Sequence, residues 1–245
     1  MKLTVLHSWR EARGVDLTNQ TAIVIDAVRA STTITYALAN GALRVFPVKT
    51  VREALAQRQA HPEILVGGER KGQPVKGFDL GNSPQEYLPA AVNGREIVLT
   101  TTNGTKAVHA CLTARTIFVG AFVNLEAVAE AASKLRRDVT VVAAGAGGRP
   151  VLDDSVCAGM YIDRLQRMRP RAELNMGALE AAQLCARHAN DLLGMLWASR
   201  SGQALIHIGL AEDLRRVAAV NTLETVPVVR KGVGPDTALS IDRLR

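Results

Sequence analysis

The residues of this chain with the most chemistry in them stand directly after apolar runs, at three junctions. The first reads Ile25-Asp26-Ala27-Val28-Arg29-Ala30-Ser31-Thr32-Thr33: an acid closes the run, an arginine follows three residues on, and hydroxyls open the next segment. A carboxylate so placed can hold a divalent cation. The arginine offers an oxyanion a planar fork of donors, and N–H groups at a helix start favour negative charge. A plain helix cap with a surface Asp and Arg is the alternative. The second junction carries Val98-Leu99-Thr100 into Thr101, Thr102, Asn103, Gly104 and Thr105. Its Asn-Gly pair tolerates left-handed backbone angles, so N–H and O–H donors can face a single anion. It is no Walker A loop, because GxxxxGK[ST] is absent, and a Thr-rich turn without a ligand is the other reading. The third junction, Ala143-Ala144-Gly145-Ala146-Gly147-Gly148-Arg149, leads to the adjacent acids Asp153 and Asp154. Such a pair suits magnesium, which takes one or two carboxylates with waters and substrate oxygens. Helix capping alone accounts for one of them. Without a full GxGxxG, a dinucleotide site is weakly supported.

Between the first two junctions, residues 67 to 84 read as one long loop rich in glycine and charge, a kind that is usually functional. It contributes Glu69 and Asp79 as metal-binding or water-orienting groups, and Arg70, Lys71 and Lys76 as anion contacts. A solvated connector is the alternative. His7, His61, His109, His188 and His207 show neither HExxH nor HxH spacing, so zinc catalysis and a Ser/His triad lack support and each reads as structural. Cys157 lies near the acid pair with no histidine partner and reads as a small buried residue.

Positioning these groups requires strands that end at the junctions. Strands are expected at Lys2 to Leu6, Ala22 to Asp26, Leu43 to Val48, Ile64 to Gly67, Glu96 to Leu99, Thr116 to Val119, Val139 to Ala143 and Val226 to Val229. Helical patterns lie between them. One runs from near Ser31 to Asn40-Gly41, and another opens at Thr50 with Glu53 in capping-box spacing and reaches Ala60. Asn124 is expected to cap Leu125 to Leu135, and Asp154 or Ser155 a helix reaching Met168. Ala182, Cys185, Ala189, Leu192, Leu193 and Leu196 recur as the buried stripe of one long helix. Alternating strand and helix predicts a three-layer α/β/α fold with a mainly parallel or mixed sheet. The 245 residues are expected to form one domain, or two intimately packed halves with a seam near Arg169-Pro170-Arg171.

Composition narrows the partners. The formal charge of +7 is dispersed rather than gathered in a tail, and aromatics are only 4%, so a small anionic, phosphorylated substrate is expected rather than a nucleic acid. Three cysteines without a CxxC pair suggest a reducing cytoplasm. No signal pattern and no apolar run of about 20 residues speaks for a membrane. A homodimer is left open.

Taken together, VIDAVRASTT, GGERKGQPVKGFDLGNSPQEY, LTTTNGT and AAGAGGRPVLDDSVCAG, in that order between Ala22 and Gly159, resemble the 2-phosphosulfolactate phosphatase family, also called the ComB family. The later SRSGQALIHIGLAEDL is similar as well. The resemblance implies a magnesium-dependent phosphatase that converts 2-phospho-3-sulfolactate to 3-sulfolactate and phosphate, a step towards coenzyme M. On that reading water attacks phosphorus with metal assistance. Asp26, Arg29, Glu69 and Asp79 are the catalytic candidates, and Asp26, Glu69, Asp153 and Asp154 the candidate Mg2+ ligands. Arg70, Lys71 and the turn from Thr101 to Thr105 are the candidate substrate contacts. An aspartyl phosphate on Asp26 ranks second, because Val28 stands where such phosphatases usually place a second Asp. Rival readings are a phosphatase of another small phosphorylated acid, a Rossmann-like nucleotide-binding oxidoreductase favoured only by the glycine run, and a non-catalytic anion-binding module.

Overall fold

Eleven strands join in one mixed sheet in the computed structural model, which describes residues 1–232 and 239–244. In chain order they are β1 (Lys2–Leu6), β2 (Thr21–Ile25), β3 (Arg44–Pro47), β4 (Leu65–Arg70), β5 (Gln73–Pro74), β6 (Glu96–Thr100), β7 (Thr116–Gly120), β8 (Val139–Ala143), β9 (Glu173–Leu174), β10 (Pro227–Arg230) and β11 (Ser240–Arg243). Across the sheet the order is β5-β4-β6-β3-β11-β10-β7-β2-β8-β1-β9. Two parallel runs, β4-β6-β3 and β7-β2-β8-β1-β9, are joined by β10 and β11, which pair antiparallel with each other and with their neighbours β7 and β3. Three successive reversals set the two parallel runs in opposite senses.

The three layers follow from the period of two along the central strands. Ile23 and Ile25 of β2, with Phe118, Val139 and Val141, enter one core under helices Leu125–Lys134 and Leu152–Met168. Ala22 and Val24, with Val119 and Val142, enter the other under helices Ala30–Ala39 and Gly104–Ala110. With both faces covered, β2 and β8 are buried along their whole length, and so their sequences TAIVI and VTVVA do not alternate. Among the described residues no helix is long and apolar enough to cross a membrane.

Several local expectations are corrected. The residue 67–84 segment is not one loop: β4 runs on to Arg70 and turns through Lys71 (φ 55°) and Gly72 (φ 82°) into β5. The long helix through Ala189 is two, Met176–His188 and Leu192–Ala198. Asp191 restarts it by accepting the Gly194 N–H at 2.9 Å. Asn124 does not cap Leu125–Lys134. Its side chain accepts from the Ala121 N–H at 2.8 Å and donates to the carbonyls of Val119 and Thr225 at 3.3 and 3.1 Å. Neither Asp154 nor Ser155 caps the helix that begins at Leu152, because both already lie inside its first turn.

Candidate active site

The carboxyl ends of β2, β4, β6 and β8 meet at one place, although the strands come from oppositely directed halves of the sheet. At the end of β2, the Asp26 N–H donates to Ser31 Oγ at 2.8 Å and the Ser31 N–H to the Asp26 carbonyl at 2.8 Å. The start of helix Ala30–Ala39 is thereby locked onto the strand, and its Ala30 N–H donates to the Asp26 carboxylate in a long 3.4 Å contact. The turn after β6 closes over that carboxylate. A Cβ on Gly104 would come within 2.7 Å of Asp26 Oδ2 and 2.8 Å of Ala30 Cβ, so the approach needs a residue without one.

From β4, Glu69 reaches the same turn. It accepts the Thr102 N–H at 2.7 Å, the Thr102 hydroxyl at 3.1 Å and the Gly72 N–H at 2.7 Å, which holds the β4–β5 hairpin against the turn. The first turn of helix Leu152–Met168 supplies two more acids. Asp154 accepts the Ala27 and Gly145 N–H groups, both at 2.9 Å, and so ties the end of β2 to the end of β8. Asp153 accepts the Ser201 hydroxyl at 2.9 Å. The glycine loop joins in through Asn103 Oδ1, which accepts the Gly147 N–H at 3.1 Å.

Asp26, Glu69, Asp153 and Asp154 are thus brought together, and among the described residues none of the four is paired with a Lys, Arg or His within salt-bridge distance. Burial, and then the charges of Glu69 and Asp153, push the Asp26 carboxyl up to about 7. Burial likewise raises Asp153 to about 6, and burial with the Asp153 and Asp26 charges carries Asp154 well above the usual carboxylate range. Concentrated buried negative charge of this kind is relieved by protons or by a cation.

The expected basic partners are elsewhere. Arg29 is buried with its guanidinium on Asp213 at 2.7 Å and on the Gly72 carbonyl at 2.9 Å. Arg70 folds back onto the carbonyls of Glu69, Thr100 and Lys49 and onto Thr100 Oγ1. Both brace the backbone instead of facing the acids. Asp79 is also apart from the cluster, held by the Val66 N–H at 2.8 Å and by Arg58. Thr101 and Thr105 bond one another, the Thr105 hydroxyl donating to the Thr101 carbonyl at 3.1 Å and the Thr105 N–H to the Thr101 hydroxyl at 3.3 Å, so the Thr102 and Thr105 hydroxyls both meet protein acceptors. Lys71 is exposed at the hairpin tip, as is Lys76 beyond it, and Arg149 is exposed beside the glycine loop.

Reading the sequence assigned no role to Asp213 or Ser201, although both lie in the SRSGQALIHIGLAEDL segment. Asp213 is fully buried and also accepts from the Ser83 hydroxyl at 2.6 Å and Gln85 Nε2 at 3.0 Å, so it gathers three segments around Arg29. Removing one partner of such a pair strands a buried charge. Asp213→Ala is therefore expected to lower the unfolding free energy by about 3–5 kcal/mol in urea titration, and a change below about 1 kcal/mol would contradict the assigned role.

The donor set is all hard oxygen, the chemistry magnesium prefers. Among the described residues no three His, Cys, Asp or Glu side chains are spaced to enclose an ion, so the four expected ligands do not form a cage. Asp26 takes the Ala30 N–H on Oδ1 in a long 3.4 Å contact and has Gly104 beside its Oδ2, and Asp153 takes the Ser201 hydroxyl on Oδ1. One or two carboxylates completed by water and substrate oxygens is the mode in which these residues fit Mg2+.

The family model described as 2-phosphosulpholactate phosphatase matches residues 7–232. Similar proteins named probable 2-phosphosulfolactate phosphatase include one from Clostridium acetobutylicum, 36% identical over 95% of this chain and 99% of its own. One from Symbiobacterium thermophilum is 37% identical over 89% and 94%, and one from Thermotoga petrophila 40% identical over 87% and 91%. The family match runs through both parallel halves of the sheet and every segment of the acid cluster, not through one motif, and the chain belongs to the 2-phosphosulpholactate phosphatase family.

Proposed function

We propose that the chain hydrolyses 2-phospho-3-sulfolactate to 3-sulfolactate and phosphate, with Mg2+ held by Asp26 and Asp153 at the strand ends. The observation that carries this reading is the gathering of four acids with no cationic side chain paired to them among the described residues. Bound there, magnesium supplies the positive charge that the phosphoryl oxygens need in hydrolysis. Ser201 orients Asp153, the Ser31 and Ala30 contacts orient Asp26, and Glu69 fixes the Thr turn that closes beside them. Water's oxygen bonds to phosphorus as the ester P–O bond breaks. A carboxylate of the cluster takes the water's proton, and the departing oxygen gains one to become the hydroxyl of 3-sulfolactate.

With Arg29 and Arg70 engaged by the protein, the sulfonate and carboxylate fall to exposed cations, of which Lys71 and Arg149 stand on the two loops flanking the acids. The experiment compares kcat/KM for 2-phospho-3-sulfolactate, phospholactate and an aryl phosphate lacking a second anion, with Mg2+ and at fixed ionic strength. Each added anion is expected to raise kcat/KM about tenfold, and Lys71→Ala or Arg149→Ala to flatten the series. Equal values across the series would mean that the site recognises a phosphoryl group alone.

A further inference from the structure

A second charged feature lies outside the acid cluster. Trp9, in the first helix after β1, is surrounded by cations: the Arg10 guanidinium lies 5.5 Å from the ring centre, Lys106 Nζ 5.6 Å and the Arg13 guanidinium 6.0 Å. Beside the ring opens a cavity of about 380 Å³ lined by Trp9, Arg13, Lys49, Lys106 and His109 among others. None of Asp26, Glu69, Asp153 and Asp154 reaches it. Among the described residues, Arg10, Arg13, Lys49 and Lys106 have no carboxylate within salt-bridge distance. The nearby acids are occupied: Glu53 accepts the Lys49 backbone N–H at 2.8 Å and Glu11 the His7 N–H at 2.9 Å. The indole Nε1–H is also buried with no partner among the described residues. Burial first, and then Lys49, lower the pKa of His109, whose Nε2 donates to the Pro47 carbonyl at 3.2 Å, so the ring adds no charge of its own at neutral pH.

Three cations gather about one aromatic ring and Lys49 adds a fourth on the cavity wall; they repel one another, and one polyanion in the cavity would relieve Arg13, Lys49 and Lys106, which line it, at once. A lone phosphate engages only a pair of them, and the cavity is at the small end of ligand pockets. We propose that the Trp9 cavity is a second anion site that binds a short phosphate chain, the chemistry common to inorganic tripolyphosphate and a nucleoside triphosphate. The site has a route to the acid cluster. Lys106 lies two residues beyond Gly104, which covers Asp26, and the Arg10 side chain lies against Gly148 of the glycine loop.

The chain has two tryptophans, so Trp197→Phe leaves Trp9 as sole reporter. Its emission is followed during titration with tripolyphosphate, with a nucleoside triphosphate, and with potassium chloride at matched ionic strength. All titrations contain a chelator, so that the metal-free acids repel the anion. A saturable change with tripolyphosphate is expected, weakened about tenfold by Arg13→Ala and again by Lys106→Ala. Those two side chains are exposed, and circular dichroism of each variant checks its fold. Equal or tighter binding of the nucleotide also supports the proposal, any gain measuring the contribution of the base. A response equalled by potassium chloride, no saturation with either polyanion, or an affinity indifferent to both variants would overturn it.

Discussion

Asp26→Asn is expected to lower kcat by about a hundredfold or more while leaving the fold intact. The amide keeps the shape of the carboxylate and its long contact from the Ala30 N–H at 3.4 Å, but it neither carries charge to a cation nor accepts a proton. The stability consequence has a definite sign. In the native protein the Asp26 carboxyl is pushed up to about 7, by burial first and then by Glu69 and Asp153. A carboxyl whose folded pKa is raised above its unfolded value destabilises the fold as pH climbs from the unfolded value towards the folded one, because the charged form is favoured in the unfolded chain. Removing that charge should leave the melting temperature of the metal-free protein unchanged or slightly higher at pH 7. A variant with wild-type turnover would remove Asp26 from the chemistry. One that melts more than about 4 °C lower would show a structural role instead.

The second large effect is expected on removal of divalent metal. Among the described residues Asp26, Glu69, Asp153 and Asp154 have no cationic side chain paired to them, and Arg29, the nearest candidate in sequence, is bound to Asp213. A phosphorylated acid brought to that surface without a cation meets like charge. Chelation should therefore lower phosphate release by at least about a hundredfold, restored by Mg2+ and restored less well by Ca2+, whose larger and looser coordination suits a two-carboxylate site poorly. Asp153→Asn should raise the Mg2+ concentration needed for half-maximal rate. Undiminished turnover in exhaustively chelated protein would refute the metal assignment and leave the acids to proton transfer alone.

What could be read from the residues, and what could not, divides by the range of the interactions. The central strands are legible because burial on both faces demands continuous apolar runs: β8 begins and ends where its run does, and elsewhere Thr50 caps its helix by accepting the Glu53 N–H at 3.1 Å. The strand-end position of Asp26 follows from the same logic. The short β5 and β9 are too brief for any period to show, and β11 completes the sheet only by entering between the two parallel halves, which no local pattern announces. Site details failed for a related reason. Arg29 and Asp79 have the composition of ligand-binding groups, but each is engaged by a partner far along the chain, Asp213 for one and Arg58 for the other. Whether a charged side chain faces a ligand or another side chain is decided by tertiary pairing. Asp213 shows the converse, since nothing near it in sequence marks it as the centre of a buried network.

The most direct test incubates purified protein with 2-phospho-3-sulfolactate and Mg2+ and measures both products. The proposed reaction releases phosphate and 3-sulfolactate in equal amounts, at a rate abolished by chelation and cut about a hundredfold in Asp26→Asn. A folded, magnesium-supplied wild-type protein that releases neither product would contradict it.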